Sequence, residues 1–197
     1  MNKETAIKDI EFIKNQIELS KKKLLVMSYD AVYWGIIVFI GLMYSYFEAL
    51  YRFGYYSFYV WISIIFIGWG FQYYHEKFGK RVRIRTFSSK ILNSVWVGAG
   101  VTMTLIALSS MLTYSTNKFV NPIAIAPLIG LVLGMSYFVT GVLTESKVMI
   151  FFSIIWWISS FSMLFITSIH ILPSFASLIL LLQVIPGIMF NRKNRFE

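Results

Sequence analysis

Six apolar stretches separated by short polar breaks leave this chain few ways to fold. They lie at 31–51, 55–74, 91–114, 122–143, 148–169 and 173–190. A helix needs about 20 residues, at a 1.5 Å rise, to cross roughly 30 Å of hydrocarbon. None of the stretches alternates with the period of a barrel strand. Lipid favours helices because each backbone polar group must find its partner within the segment. A water-soluble domain would need more polar surface: only 14% of the residues are charged, while 57% are hydrophobic, against about 25% charged in an average soluble domain. An aromatic share of 18% also excludes a disordered chain. The expected fold is an all-α integral membrane protein, with six transmembrane helices arranged as three helical hairpins behind an N-terminal amphipathic helix. The expected division is a cytoplasmic leader at 1–27, a six-helix domain at 28–190 and a cytoplasmic basic tail at 191–197.

Local residues suggest where the helices begin. Asp30 is expected to cap the first span. Asn121 followed by Pro122 reads as a cap and a first helical position, and Pro173 is placed similarly. Arg52-Phe53-Gly54 reads as a tight turn. Orientation follows from the basic residues. Of the 18 Lys and Arg, all but Arg52 and Lys118 fall in the leader, in the breaks after the second and fourth spans, or in the tail. Such loops stay in the cytoplasm, so both termini are expected there, with the chain in the cell (inner) membrane. The net charge of +9 then reads mainly as a topology signal, and direct nucleic-acid binding is not expected.

Trp34, Trp96 and Trp156 sit early in the first, third and fifth spans at similar intervals, which suggests a repeated hairpin. Tryptophan also favours the interface of any span, so both readings stand. Lipid supplies no hydrophobic drive between spans, and small residues are expected at their contacts. Gly130 and Gly134 form a G-x-x-x-G pair, and Ser94, Gly98 and Thr102 share one face of the third span. Both are assigned to packing within the bundle. Pro127 and Pro186-Gly187 are expected to bend their spans.

In the leader, Ile10, Ile13, Ile17 and Leu24 recur on one helical face, with Ser20 in the intervening slot. Glu4-Lys8 is an i,i+4 pair of favourable order. A helix lying on the inner leaflet and a short coiled coil with a second copy or a cytoplasmic regulatory protein both fit.

Catalytic chemistry is not evident. There is no cysteine, and the two histidines, His75 and His170, are far apart. His75-Glu76 lacks the second histidine of a zinc motif. No histidine or lysine is placed to activate Ser153, Ser159, Ser160 or Ser162, and helix-to-helix hydrogen bonds account for these serines. The expectation is a non-enzyme with no catalytic, cofactor or metal residues. Three features remain. Ten of the eighteen residues from 44 to 61 are aromatic. Tyr44, Tyr51, Tyr55 and Trp61, with Glu48 as counter-charge and Arg52 beside it, could line a pocket for a cationic or amphiphilic ligand. An aromatic belt with an interfacial Glu48–Arg52 pair is the plainer alternative. Lys77, Lys80, Arg81, Arg83 and Arg85 are candidates to contact anionic lipid headgroups or an acidic partner. Gln72, Asn93, Thr102, Thr104 and Gln183 are polar within the spans; they could line a polar path, and bonding between neighbouring helices is the default expectation.

The plan resembles a group of uncharacterised small six-span bacterial inner-membrane proteins. The resemblance is carried by the leader Ile7 to Lys23, the Tyr33-Trp34-Gly35 start, the segment Arg83 to Trp96, and Ile185-Pro186-Gly187 before Asn191-Arg192-Lys193. It implies a signalling role, because such proteins are often encoded beside small DNA-binding regulators, and it carries over no site residues. Two functions are therefore expected. One is a membrane sensor or scaffold that presents cytoplasmic basic segments to a partner or anionic lipid. The alternative is a small transporter or channel for an apolar or cationic solute.

Overall fold

The computed structural model describes residues 3–54, 56–78, 87–116 and 122–193. Among them every regular element is helical. The helices are α1 (Lys3–Tyr51), α2 (Ser57–Phe78), α3 (Phe87–Thr116), α4 (Ile125–Leu143), α5 (Lys147–Met163), α6 (Ile171–Ile179) and α7 (Ile185–Lys193). Among the described residues four segments are long and apolar enough to cross a membrane: Tyr29–Tyr51, Ser89–Ser109, Ile125–Leu143 and Ile171–Met189. They point to a membrane-embedded protein. α2 has the length, but Tyr59, Gln72, Tyr73, Tyr74 and His75 make it less apolar. α5 is apolar but spans only 17 residues.

Leader and first span are one helix of 49 residues. The sequence from Lys3 to Trp34 holds no glycine or proline, so nothing in it breaks the ladder of backbone bonds. Asp30 therefore lies inside a helix and not at its start, contrary to expectation. α1 ends at Arg52, whose φ of 52° is the left-handed conformation that closes many helices. The Arg52 amide donates to the Glu48 carbonyl at 2.8 Å, and the expected Arg52-Phe53-Gly54 turn follows.

Pro122 opens a 3-10 turn to Ala124, and α4 begins only at Ile125, three residues later than expected. Asn121 lies outside the described residues. α4 closes by a Schellman pattern. Ser146 N–H donates to the Gly141 carbonyl at 2.9 Å and Glu145 N–H to the Val142 carbonyl at 3.3 Å, with Glu145 left-handed at φ 51°. Ser146 then caps α5 by accepting from the Met149 amide. α5 ends at Met163, six residues short of the expected 169. Its last turn tightens into i→i+3 bonds, such as Leu164 N–H to Phe161 O at 3.1 Å, before Thr167 and Ser168. In α6, Pro173 falls in the first turn, where its missing N–H leaves no bond unmade.

α6 and α7 are joined by a π-turn, Leu180–Val184. Pro186 has no N–H for the Leu182 carbonyl, and a plain α-helix would press its ring against that oxygen. The wider turn avoids this, and Ile185 N–H donates instead to Leu180 O.

α1 packs against α2 and, on another side, along α6, the π-turn and α7; α4 packs against α3 and α5. The apolar core runs through Leu42, Leu133, Tyr137, Trp156, Ile171, Phe175, Ile179 and Val184. Gly130 lies against Ser160 and Phe175, and Gly134 against the Trp157 indole. Gly98 differs, since a Cβ there would meet nothing within 4 Å. Ser94, Gly98 and Thr102 are all exposed, so this face of α3 is turned away from the bundle. α3 instead buries Leu92 and Ala99 and directs Trp96 at α4.

Candidate functional site: the junction of leader and bundle

The aromatic cluster at the α1–α2 turn is held together from within. Glu48 is buried. Its carboxylate accepts from the Ser57 amide (3.0 Å) and, more closely, from the Tyr56 amide and the Ser57 hydroxyl. These are orphan donors at the start of α2, so Glu48 caps that helix, with its charge at the favourable end of the dipole. The expected Glu48–Arg52 pair is not formed, because the carboxylate faces these amides while Arg52 is exposed in the turn. The Trp61 indole donates to Ser45 Oγ at 3.0 Å. Tyr44 meets Phe53 edge-on with ring centroids 5.8 Å apart, and Tyr51 stacks on Phe47 at 6.2 Å. Tyr55 lies outside the described residues. His170, which the sequence pattern did not connect to this cluster, has Nδ1 3.1 Å from the Tyr46 hydroxyl and so ties α1 to the start of α6.

Of the basic candidates, Lys77 is exposed, with its ammonium 3.5 Å from the Tyr73 hydroxyl and 5.6 Å from the centre of the Tyr73 ring. Lys80, Arg81, Arg83 and Arg85 lie outside the described residues. No group of three or more His, Cys, Asp or Glu converges among the described residues.

A second group of polar contacts between helices lies where the leader passes into the bundle. The Gln183 side chain, borne on the π-turn and buried, donates to the Ala31 carbonyl of α1 at 2.9 Å. One turn along α1, Gly35 leaves room for that turn; a Cβ there would come within 2.6 Å of Val184. On the α2 side, the Trp34 indole donates to Gln72 Oε1 at 3.0 Å and its ring covers Gly68. Tyr33 stacks on Phe71 with centroids 4.1 Å apart, and its hydroxyl donates to Ile67 O at 3.3 Å. Four of the five residues of α1 from 31 to 35 thus touch α2 or the π-turn.

The other polar residues divide. Trp69 reaches Thr104 Oγ1 at 3.4 Å and Trp96 reaches Thr140 Oγ1 at 3.0 Å, so Trp34, Trp69 and Trp96 all bond a neighbouring helix. Thr102 instead bonds the Gly98 carbonyl of its own helix, and Asn93 is exposed. The α5 serines depart from the expected helix-to-helix role. Ser153 and Ser162 donate to carbonyls of α5 itself, and Ser160 Oγ is buried with no partner. Trp156 is fully buried, past the middle of α5, with its ring edge-on to Phe175 and its indole N–H unpartnered. It is a core residue and not an interfacial one. Compared with known proteins, the chain matches no family model, no curated relative and no solved structure.

Proposed function

We propose that this chain is a six-span cell (inner) membrane protein, with both termini in the cytoplasm, that acts without catalysis as a sensor or scaffold. It presents its leader and basic loop to a cytoplasmic partner or to anionic lipid. The orientation rests on the sixteen basic residues gathered on one side. The observation that carries the reading is α1 itself. One unbroken helix joins a charged leader to a membrane span, and the Ala31–Gln183 bond ties that helix to the last span. A transport role has less support, because the counter-charge it would use, Glu48, is already engaged by the start of α2.

The test compares the purified full chain with a variant lacking residues 1–24 by native mass spectrometry and affinity capture. The full chain is expected to retain a cytoplasmic protein or anionic lipid, and the shortened chain to lose it. Equal retention by both would refute the reading.

A further inference from the structure

The leader is helical from Lys3 and continues into the span as the same helix, with no break in the helical backbone between them. With no glycine or proline before Gly35, it has no site at which to turn and lie along the leaflet. As one continuous helix it is about 39 Å long from Lys3 to Ser28 at 1.5 Å per residue. On it Ile10 is 65% exposed and Ile7, three residues before it, 50%. A single helix with apolar residues open to water is marginal and needs a cover.

The sequence register identifies that cover. With Ile10 as position a of a heptad, the a and d positions from 6 to 27 are Ala6, Ile10, Ile13, Ile17, Ser20, Leu24 and Met27. Only Ser20 is polar, which is the seam of a coiled coil. The flanking charges select among partners. Over residues 1–27 there are six basic and four acidic residues, so both signs flank the seam and their pairing decides which partner fits. Two copies in one membrane enter it at the same residue, so their leaders run parallel and without stagger. In that alignment the g-to-e′ pairs are Asn2–Ile7, Asp9–Lys14, Gln16–Lys21 and Lys23–Ser28. The only pair with two charges is attractive and no like charges meet.

We propose that the leader pairs with the leader of a second copy of this chain, as a parallel, in-register coiled coil seamed by Ile10, Ile13, Ile17 and Leu24. This deepens the scaffold reading above and rests on it for the orientation of the leader, which it gives a partner of its own kind.

The absence of cysteine makes the test clean. Single-cysteine variants of the full chain are oxidised in native membranes and the cross-linked dimer is read on a gel. Ile10→Cys, Ile13→Cys, Ile17→Cys and Leu24→Cys are expected to cross-link, and Lys8→Cys, Asn15→Cys and Lys22→Cys, on the opposite face, to lose the dimer band. A charge exchange supplies the second arm. In the Ile13→Cys background, Asp9→Lys should lower the yield about two- to threefold by setting lysine against lysine, and adding Lys14→Asp should restore it. No cross-link at any seam position, equal cross-linking around the helix, or a charge exchange without effect would overturn the proposal. Loss of partner capture on deleting residues 1–24, with no seam cross-link, would leave the scaffold reading standing and remove the self-pairing.

Discussion

The contact between α4 and α5 makes a sharp energetic prediction at Gly130. A Cβ at this position would fall inside the contact distance of Ser160 Oγ and within 3.2 Å of both Ser160 Cβ and Phe175 Cε2. Gly130→Ala should therefore destabilise the bundle by about 1–3 kcal/mol, the usual cost of overpacking a well-filled core. Ser160→Ala should do the opposite. Its hydroxyl is fully buried without a hydrogen-bond partner, and removing such a group is worth about 1 kcal/mol. Together the two substitutions remove the worst clash and leave only the 3.2 Å contacts, each a few tenths of an ångström tight. The double variant should thus lie within about 1 kcal/mol of the parent, with a coupling of about 1–2 kcal/mol. Unfolding in mixed micelles, titrated with a denaturing detergent and followed by far-UV circular dichroism, measures all four proteins. If Gly130→Ala proves harmless, or if the single effects merely add, the close approach of α4 to α5 is wrong.

Two further outcomes test the helix junctions. Gln183→Leu keeps the volume and deletes the bond to Ala31, so the same titration should show a loss of about 0.6 kcal/mol, typical of interhelical bonds in membranes; an unchanged midpoint would show that the bond contributes nothing. Glu48→Ala uncaps α2 and should cost about 1–2 kcal/mol, whereas Glu48→Gln, which keeps an acceptor, should cost less. Equal losses would contradict the capping role.

Much of this architecture is legible in the sequence because hydrocarbon imposes a length and a composition together. Four of the six apolar runs coincide with helices long and apolar enough to cross a membrane among the described residues, and Arg52-Phe53-Gly54 marks a turn. Helix ends are less legible. Asp30 has the chemistry of a cap, yet the residues before it are good helix formers without a breaker, so the helix runs through. The fifth span reads as continuing to 169 because Leu164, Phe165 and Ile166 are apolar, but hydropathy does not register the backbone tightening after Met163. At the α1–α2 turn the i,i+4 spacing of Glu48 and Arg52 suggests an ion pair; the unsatisfied amides of a helix start only eight residues further along compete for the carboxylate and win. The Gln183–Ala31 bond spans 152 residues and no local pattern could reveal it. Pro186 was the only hint that something unusual lay just upstream.

The π-turn at 180–184 has an effect on everything after it. It holds one residue more than the same arc of an α-helix would, so Ile185 through Lys193 are rotated by about 100° from where a straight continuation of α6 would place them. Ile188 and Met189, both exposed, consequently face a different flank of the molecule. Excising a single amino acid between Leu180 and Val184 would re-aim the terminal segment and withdraw the amide from Ala31 in one stroke.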